Sequence, residues 1–206
     1  MIIKVCGIRT IENIAEIARL PIDMVGLNFY PPSSRYLDDR IEAERFDLLP
    51  DEVARVGVFV NMELENVLDK VDEYRLDFVQ LHGDETVEYA QAISDEVGVI
   101  KVFRINSHFQ MEDTLPYDFV NYLLFDQDTK GYGGSGHKFD WSVLQEYKLS
   151  VPFLLAGGIG PNDAAEVKTI VHPSFVGIDI NSRFEHSPAV KDTHAIEKFL
   201  DQLSTL

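Results

Sequence analysis

A single cysteine, Cys6, stands in the 206 residues, which excludes an internal disulfide and any multi-cysteine metal centre. The six histidines show neither H-x-H nor H-x-x-x-H spacing, so no pair of them falls at metal-ligand spacing on one strand or one helical turn, and no metal is expected. Basic residues are scarce: 18 Lys and Arg stand against 35 Asp and Glu, a formal net charge of −17. A surface so acidic repels phosphate backbones and anionic lipid, which argues against nucleic-acid and membrane partners. It leaves room for a small anionic substrate, because salt screens a net field beyond about 8 Å and a few local donors then prevail. No run approaches the roughly 18 apolar residues of a membrane span, and the apolar part of the first ten residues is too short for a signal peptide. A cytoplasmic protein is expected. Linker-like and low-complexity stretches are also missing, so residues 1–206 read as one domain. Apolar residues at 45% and charged residues at 26% are those of a folded globular chain.

Short apolar runs recur along the chain: Ile2 to Val5, Met24 to Phe29, Val56 to Val60, Phe78 to Leu81, Val99 to Phe103, Val120 to Phe125, Phe153 to Ala156 and Phe175 to Ile180. Most are continuously apolar rather than alternating, the pattern of parallel strands covered on both faces. Their C-terminal ends fall near Cys6, Phe29, Val60, His82, Arg104, Asp126, Gly157 and Asp179. Four of the seven steps between these positions are 22 residues and the others 23, 31 and 31, the mark of a repeated βα unit. Helical spacing separates the runs, with Ile11, Ile14, Ala15 and Ala18, then Leu64, Val67, Leu68 and Val71, then Ile196, Phe199, Leu200 and Leu203 each at i, i+3, i+4, i+7. Asp84 is the expected N-cap of one helix and Pro161 the first-turn proline of another. Between Asn106 and Pro116 any helix must be short. Eight strands alternating with helices in about 200 residues point to an α/β fold, a (β/α)8 TIM barrel, with a doubly wound open sheet as the competitor. In either fold chemistry belongs at the C-terminal ends of the strands.

Several polar residues lie at those ends. Cys6 closes the first run, flanked by Lys4, Gly7 and Arg9; a lone cysteine is commonly a buried hydrophobe, and here that reading and a chemical one stand level. Asp126 directly follows the apolar Tyr122 to Phe125, where partial burial would raise its pKa toward that of a general acid at neutral pH, although a strand-end carboxylate also serves as a loop cap. Asp179 carries the same ambiguity. Arg35 lies in the proline-set loop Tyr30-Pro31-Pro32-Ser33-Ser34-Arg35 and suits a substrate carboxylate by bidentate pairing. His82 ends the fourth run and is by default structural. Gly157-Gly158 and Asn181-Ser182 follow the seventh and eighth runs, the two loops that hold phosphate in barrels of this kind. The segment Gly131-Tyr132-Gly133-Gly134-Ser135-Gly136 formally matches G-x-G-x-x-G. It lies five residues beyond the sixth strand, not in the first βα turn, and is read as a lid loop with hinges at Gly133, Gly134, Ser135 and Gly136.

These motifs together resemble the phosphoribosylanthranilate isomerases of tryptophan biosynthesis. The resemblance runs in order through Lys4-Val5-Cys6-Gly7, Asn28 to Tyr36, Val56 to Asn61, Val79 to Glu85, Asp126, Gly133 to Gly136, Phe139-Asp140-Trp141, Leu155 to Ile159 and Gly177-Ile178-Asp179. It implies a single-domain (β/α)8 barrel that rearranges an aminoaldose to an aminoketose without metal or organic cofactor. It further implies Cys6 as general base, Asp126 as general acid, Arg35 on the anthranilate carboxylate and His82 and Asp179 along the substrate. Gly157, Gly158, Asn181 and Ser182 would hold the phosphate. A local field that lowers the Cys6 pKa is expected, with Lys4 a candidate source only if strand alternation puts it on the same face. After the eighth strand the sequence departs from the family's Asp-x-Ser-Ser-Gly-Val-Glu: Arg183 replaces glycine, and either strains the backbone or adds a cation near the phosphate. The partner is thus a small anion carrying phosphate and carboxylate, and the assembly a monomer or a homodimer. Rival readings are the histidine-pathway isomerase, which would leave Cys6 unexplained, and a barrel that only binds a phosphorylated ligand.

Overall fold

The computed structural model describes residues 1–38, 42–128 and 138–205. The barrel strands among the described residues are β1 (Ile2–Cys6), β2 (Met24–Asn28), β3 (Ala54–Phe59), β4 (Phe78–Leu81), β5 (Gly98–Ile105), β6 (Tyr122–Gln127), β7 (Phe153–Leu155) and β8 (Phe175–Ile180). They pair in chain order, all parallel, and β8 returns to β1 with Lys4 opposite Asp179. The sheet therefore closes, which decides for the barrel against the open sheet.

Alternation along each strand divides the core in two. Ile3, Val5, Val25, Leu27, Val79, Leu81, Leu123 and Phe125 point outward into the larger apolar layer beneath the helices. Met24, Val56, Ile100, Val102, Leu124, Leu154 and Ala156 fill the barrel interior. Above that interior plug, on the same inward faces, the side chains turn polar: Lys4, Gln80 and Asp179 are all buried. A barrel mouth lined by inward residues is where the repeat places chemistry.

Among the described residues five α-helices cover the outside: α1 (Ile11–Ile17), α2 (Leu64–Tyr74), α3 (Val87–Ser94), α4 (Ala164–Lys168) and α5 (Thr193–Ser204). The periodic segments of the sequence became α1, α2 and α5. Between β2 and β3, β5 and β6, and β6 and β7 the helical segments of the described residues are 3-10 turns, at Ala43–Leu48, Met111–Tyr117 and Trp141–Glu146. The second contains Pro116, whose missing N–H and ring are incompatible with an α-helical interior. Two expected caps lie elsewhere. Thr86, not Asp84, caps α3 by accepting the Tyr89 N–H, because the Asp84 carboxylate is taken by Arg104. Pro161 sits in the turn before α4, whose N-cap is Asp163. No helix of the described residues is long and apolar enough to cross a membrane.

Candidate active site

Strand ends bring Cys6, His82, Asp126 and Asp179 to the same mouth. Cys6 is the last residue of β1 and is buried. Its sulfur occupies space that a side chain on β2 would need, since a Cβ on Gly26 would lie 2.6 Å from Sγ. The next residue, Gly7, has φ +79°, and a Cβ there would come within 2.7 Å of the Arg35 side chain. Glycine at this position thus lets the chain turn off β1 and lets Arg35 lie across it.

Lys4 is two residues before Cys6 and faces the same way. It is fully buried, and its Nζ donates to Asp179 Oδ2 at 2.9 Å across the β1–β8 seam. Burial opposes its charge, but Asp179 and then Cys6 outweigh that and raise its pKa, so Lys4 is a cation beside the thiol. The expected field on Cys6 is therefore present, with Lys191 as a second source. It does not win. Burial pushes the thiol up, Asp179 adds to that, and the net shift is above the ordinary value. The expectation of a lowered thiol pKa is corrected: in the free protein Cys6 carries its proton at neutral pH.

Asp126 stands on β6 with its Oδ1 accepting the Gln127 N–H at 2.7 Å. Burial, followed by the negative charge of Asp179, raises its pKa to about 7. Its Oδ2 is 3.6 Å from His82 Nε2. Burial and the cations Lys4, Arg104 and Lys101 lower the His82 pKa to about 3, so the ring is neutral. Its other nitrogen, Nδ1, is 3.0 Å from the amide nitrogen of Gln80. A carboxyl that titrates near neutrality shares the mouth with a thiol, and a neutral imidazole lies against the carboxyl: the mouth holds the parts for paired proton transfer.

Arg35 lies after β2 and is engaged by Glu185, which accepts from Nε at 2.8 Å and from Nη2 at 2.6 Å. Burial disfavours the guanidinium charge, but the Glu185 hydrogen bonds and charge raise its pKa. Glu185 also accepts from Lys191 Nζ at 2.6 Å and from the Ala189 N–H at 3.2 Å. Glu185–Ser187 and Val190–Lys191 pair as a short antiparallel hairpin beyond β8. Arg35 is thus held on one edge by a fixed carboxylate.

The two phosphate-loop candidates follow neighbouring strands. Gly157 and Gly158 have φ +82° and +76°, and a Cβ on Gly157 would stand 2.7 Å from the Gln127 nitrogen. Asn181 follows β8, and its Oδ1 accepts from Lys191 Nζ at 2.7 Å, so the side chain is committed to the hairpin. Ser182 opens the 3-10 turn Ser182–Phe184. Arg183 is absent from the positive-φ residues, and its Nε lies 3.1 Å from where a Gly160 Cβ would be. Of the two readings of this departure the backbone-strain one fails, and the cation does lie against the loop after β7. Gly133, Gly134, Ser135 and Gly136 fall outside the described residues.

Gln80, Glu185 and Lys191 were not singled out from the sequence. Gln80 had a usable signal, since it sits two residues before His82 and so on the same strand face. The hairpin pair had none, because its place depends on how the chain folds back after β8. Among the described residues no three His, Cys, Asp or Glu side chains cluster as a metal site.

The family model described as N-(5'phosphoribosyl)anthranilate (PRA) isomerase matches residues 3–202. An N-(5'-phosphoribosyl)anthranilate isomerase of Parabacteroides distasonis is 42% identical over 207 residues, covering 98% of this chain and 93% of the relative. Among solved structures, monomers generated from the dimeric phosphoribosylanthranilate isomerase of Thermotoga maritima superpose with TM-score 0.83 at 32% identity, over 100% of both chains. A phosphoribosyl anthranilate isomerase in complex with reduced 1-(o-carboxyphenylamino)-1-deoxyribulose 5-phosphate superposes with TM-score 0.81 at 32% identity, again over 100% of both chains.

Proposed function

The chain belongs to the N-(5'-phosphoribosyl)anthranilate isomerase family, and on that premise we propose how its barrel mouth performs the reaction. The enzyme converts N-(5'-phosphoribosyl)anthranilate, an aminoaldose, into 1-(2-carboxyphenylamino)-1-deoxyribulose 5-phosphate, an aminoketose, in tryptophan biosynthesis. Residues 1–206 act as one catalytic barrel.

Asp126 gives its proton to the furanose ring oxygen. The bond from that oxygen to C1′ breaks, and the nitrogen lone pair forms an iminium ion. The positive nitrogen acidifies the proton on C2′, which the Cys6 thiolate removes, and the resulting enolamine tautomerises to the ketone. Protons move and no net oxidation occurs, so the chemistry asks for no redox cofactor. Support for Asp126 as the acid is its pKa of about 7, which leaves it partly protonated at neutral pH yet able to release the proton. Support for Cys6 as the base is its position at the same mouth beside the Lys4 ammonium. Arg35 receives the anthranilate carboxylate on the guanidinium edge away from Glu185, and His82 and Asp179 line the sugar. Gly157, Gly158, Asn181 and Ser182 hold the phosphate mainly through backbone N–H groups, with Arg183 adding a local cation to a chain that is acidic overall.

The observation that carries this reading is the thiol and the near-neutral carboxyl at one barrel mouth. We further propose a cytoplasmic enzyme, monomeric or homodimeric, the dimer being the state named for the Thermotoga maritima relative. The test is the decay of substrate fluorescence on adding purified protein in a buffer with chelator, beside Asp126→Asn. Turnover lost in the variant, by about 10²-fold or more, is the expected result; equal decay in both would remove Asp126 from the mechanism.

A further inference from the structure

Behind Asp126 lies a chain of polar contacts that the proton transfers above do not use. Gln80 is buried on β4 at 1% exposure. Its amide nitrogen is 3.0 Å from His82 Nδ1, and His82 Nε2 is 3.6 Å from Asp126 Oδ2. Three consecutive polar groups thus run from the barrel interior to the acid.

His82 is neutral, so it carries one ring proton, and which nitrogen holds it decides what faces Asp126. An amide N–H is only a donor. With it directed at Nδ1, that nitrogen must be the lone pair and Nε2 must carry the proton. The Gln80 oxygen has no partner among the described residues. Turning the amide over would instead strand its NH₂ group with two donors, and a bare carbonyl oxygen is the less costly orphan. Asp126 then meets an N–H on each oxygen, from Gln127 on Oδ1 and from His82 on Oδ2.

We propose that Gln80 is a positioning residue: it fixes His82 in the Nε2–H tautomer, whose N–H closes on Asp126 as that residue becomes a carboxylate. The proposal rests on the reading of Asp126 as the acid. While Asp126 is protonated the 3.6 Å contact is slack. Once the proton has left for the ring oxygen, Oδ2 bears charge, and the waiting N–H becomes a charge-assisted partner. The donor is thus strongest in the charged state, which is the requirement for lowering a barrier rather than only tightening binding. No proton leaves His82 in this step. The opposite tautomer would aim a lone pair at the same oxygen and oppose its ionisation. Other charged groups act on the pair: Lys4 on β1 and Arg104 and Lys101 on β5 act on His82, and Asp179 on β8 and Lys4 act on Asp126.

The experiment pairs ring-nitrogen NMR with kinetics on Gln80→Glu and Gln80→Leu. The carboxylate introduced by Gln80→Glu would accept from Nδ1–H and turn the tautomer over; the leucine variant removes the donor without burying a charge, and keeps the test open if the first fails to fold. Wild-type protein should show protonated Nε2 and bare Nδ1. The glutamate variant should show the reverse, with kcat down about tenfold, KM little changed and the limb near pH 7 moved to higher pH. The leucine variant should show mixed tautomers and a smaller shift in the same direction. A wild-type ring protonated at Nδ1 would overturn the proposal. So would variants in which the tautomer turns over while kcat and the limb stay put. Wild-type turnover in Asp126→Asn would overturn the acid role and with it the coupling to Gln80, an outcome told apart because the nitrogen shifts are read without turnover.

Discussion

Replacing Lys4 by methionine removes the cation beside the base, and its effect on the base is read at the thiol itself. Lys4 is 0% exposed, and its Nζ has Asp179 on one side at 2.9 Å and Cys6 near it. Methionine matches the length of its aliphatic stem and keeps the packing of that stem while removing the ammonium. A hydrogen bond to a charged group contributes about 1.5–3 kcal/mol, and one pKa unit corresponds to about 1.4 kcal/mol. The Cys6 pKa should therefore rise by about one to two units, and more if Asp179 stays ionised without its partner. At fixed pH the thiolate fraction, and kcat/KM with it, should fall about 10- to 100-fold. The assay is direct because Cys6 is the sole cysteine: thiolate ultraviolet absorbance followed against pH reports this residue alone. Breaking a buried pair by removing one partner also destabilises, by about 3–5 kcal/mol. The double variant Lys4→Met, Asp179→Asn removes both charges and should recover much of that stability while the thiol pKa stays high relative to an unaltered Lys4. An unchanged or lowered thiol pKa in a folded Lys4→Met protein would refute the reasoning.

The pH dependence of kcat/KM should rise to about pH 7, run level, and fall only above the ordinary thiol value of about 8.5, because the acid, near 7, has the lower pKa and the base the higher; a fall already complete by pH 8 would contradict this. The competent form, with the acid protonated and the thiol ionised, is then a minority of the free enzyme at every pH, because the acid has the lower pKa and the base the higher. Stability carries two opposed slopes. The raised Asp126 binds its proton in the folded state, so its contribution is present below 3.8 and is lost as pH rises through about 7. The lowered His82 protonates more readily unfolded, so stability drops as pH falls from 6.5 toward about 3. Between about pH 4 and 6.5 the two cancel, and Asp126→Asn should unmask a stability that climbs with pH relative to wild type, by up to about 1.4 kcal/mol per unit, read by denaturant titration. Arg35→Ala should raise KM more than it lowers kcat in steady-state kinetics; an unchanged KM would place Arg35 outside substrate contact.

The strands were legible because a parallel strand covered on both faces must be apolar throughout, and eight such runs at a near-constant step leave few topologies. The helices were legible only where burial imposed a stripe, as on α2 and α5. The stretch between β2 and β3, opened by Pro31 and Pro32, carries no such stripe, and the one helical segment among its described residues is the 3-10 turn Ala43–Leu48. Cys6, His82, Asp126 and Asp179 stood out because strand ends are where polar residues interrupt apolar runs. The sense of the Cys6 shift did not, since it is decided by how deeply the thiol is buried against how close Lys4 comes, and sequence gives neither. Asp84 looked like a cap because carboxylates cap helices. Its choice of Arg104 depends on β5 lying beside β4, a fact of the closed sheet.

Lys4 and Asp179 lie 175 positions apart along the chain and meet only across the seam between first and last strands. The cation beside Cys6 is consequently neutralised and held in place only after the final strand has docked. A chain still emerging from the ribosome, or one stalled with seven strands assembled, has the cysteine but not the clamp that sets its surroundings. Contacts of such long span form late in folding, so the titration of this one thiol doubles as a reporter of ring closure. A circular permutant that moved the break away from this seam would make the pair local, and should acquire the native thiol titration earlier in refolding than the natural order does.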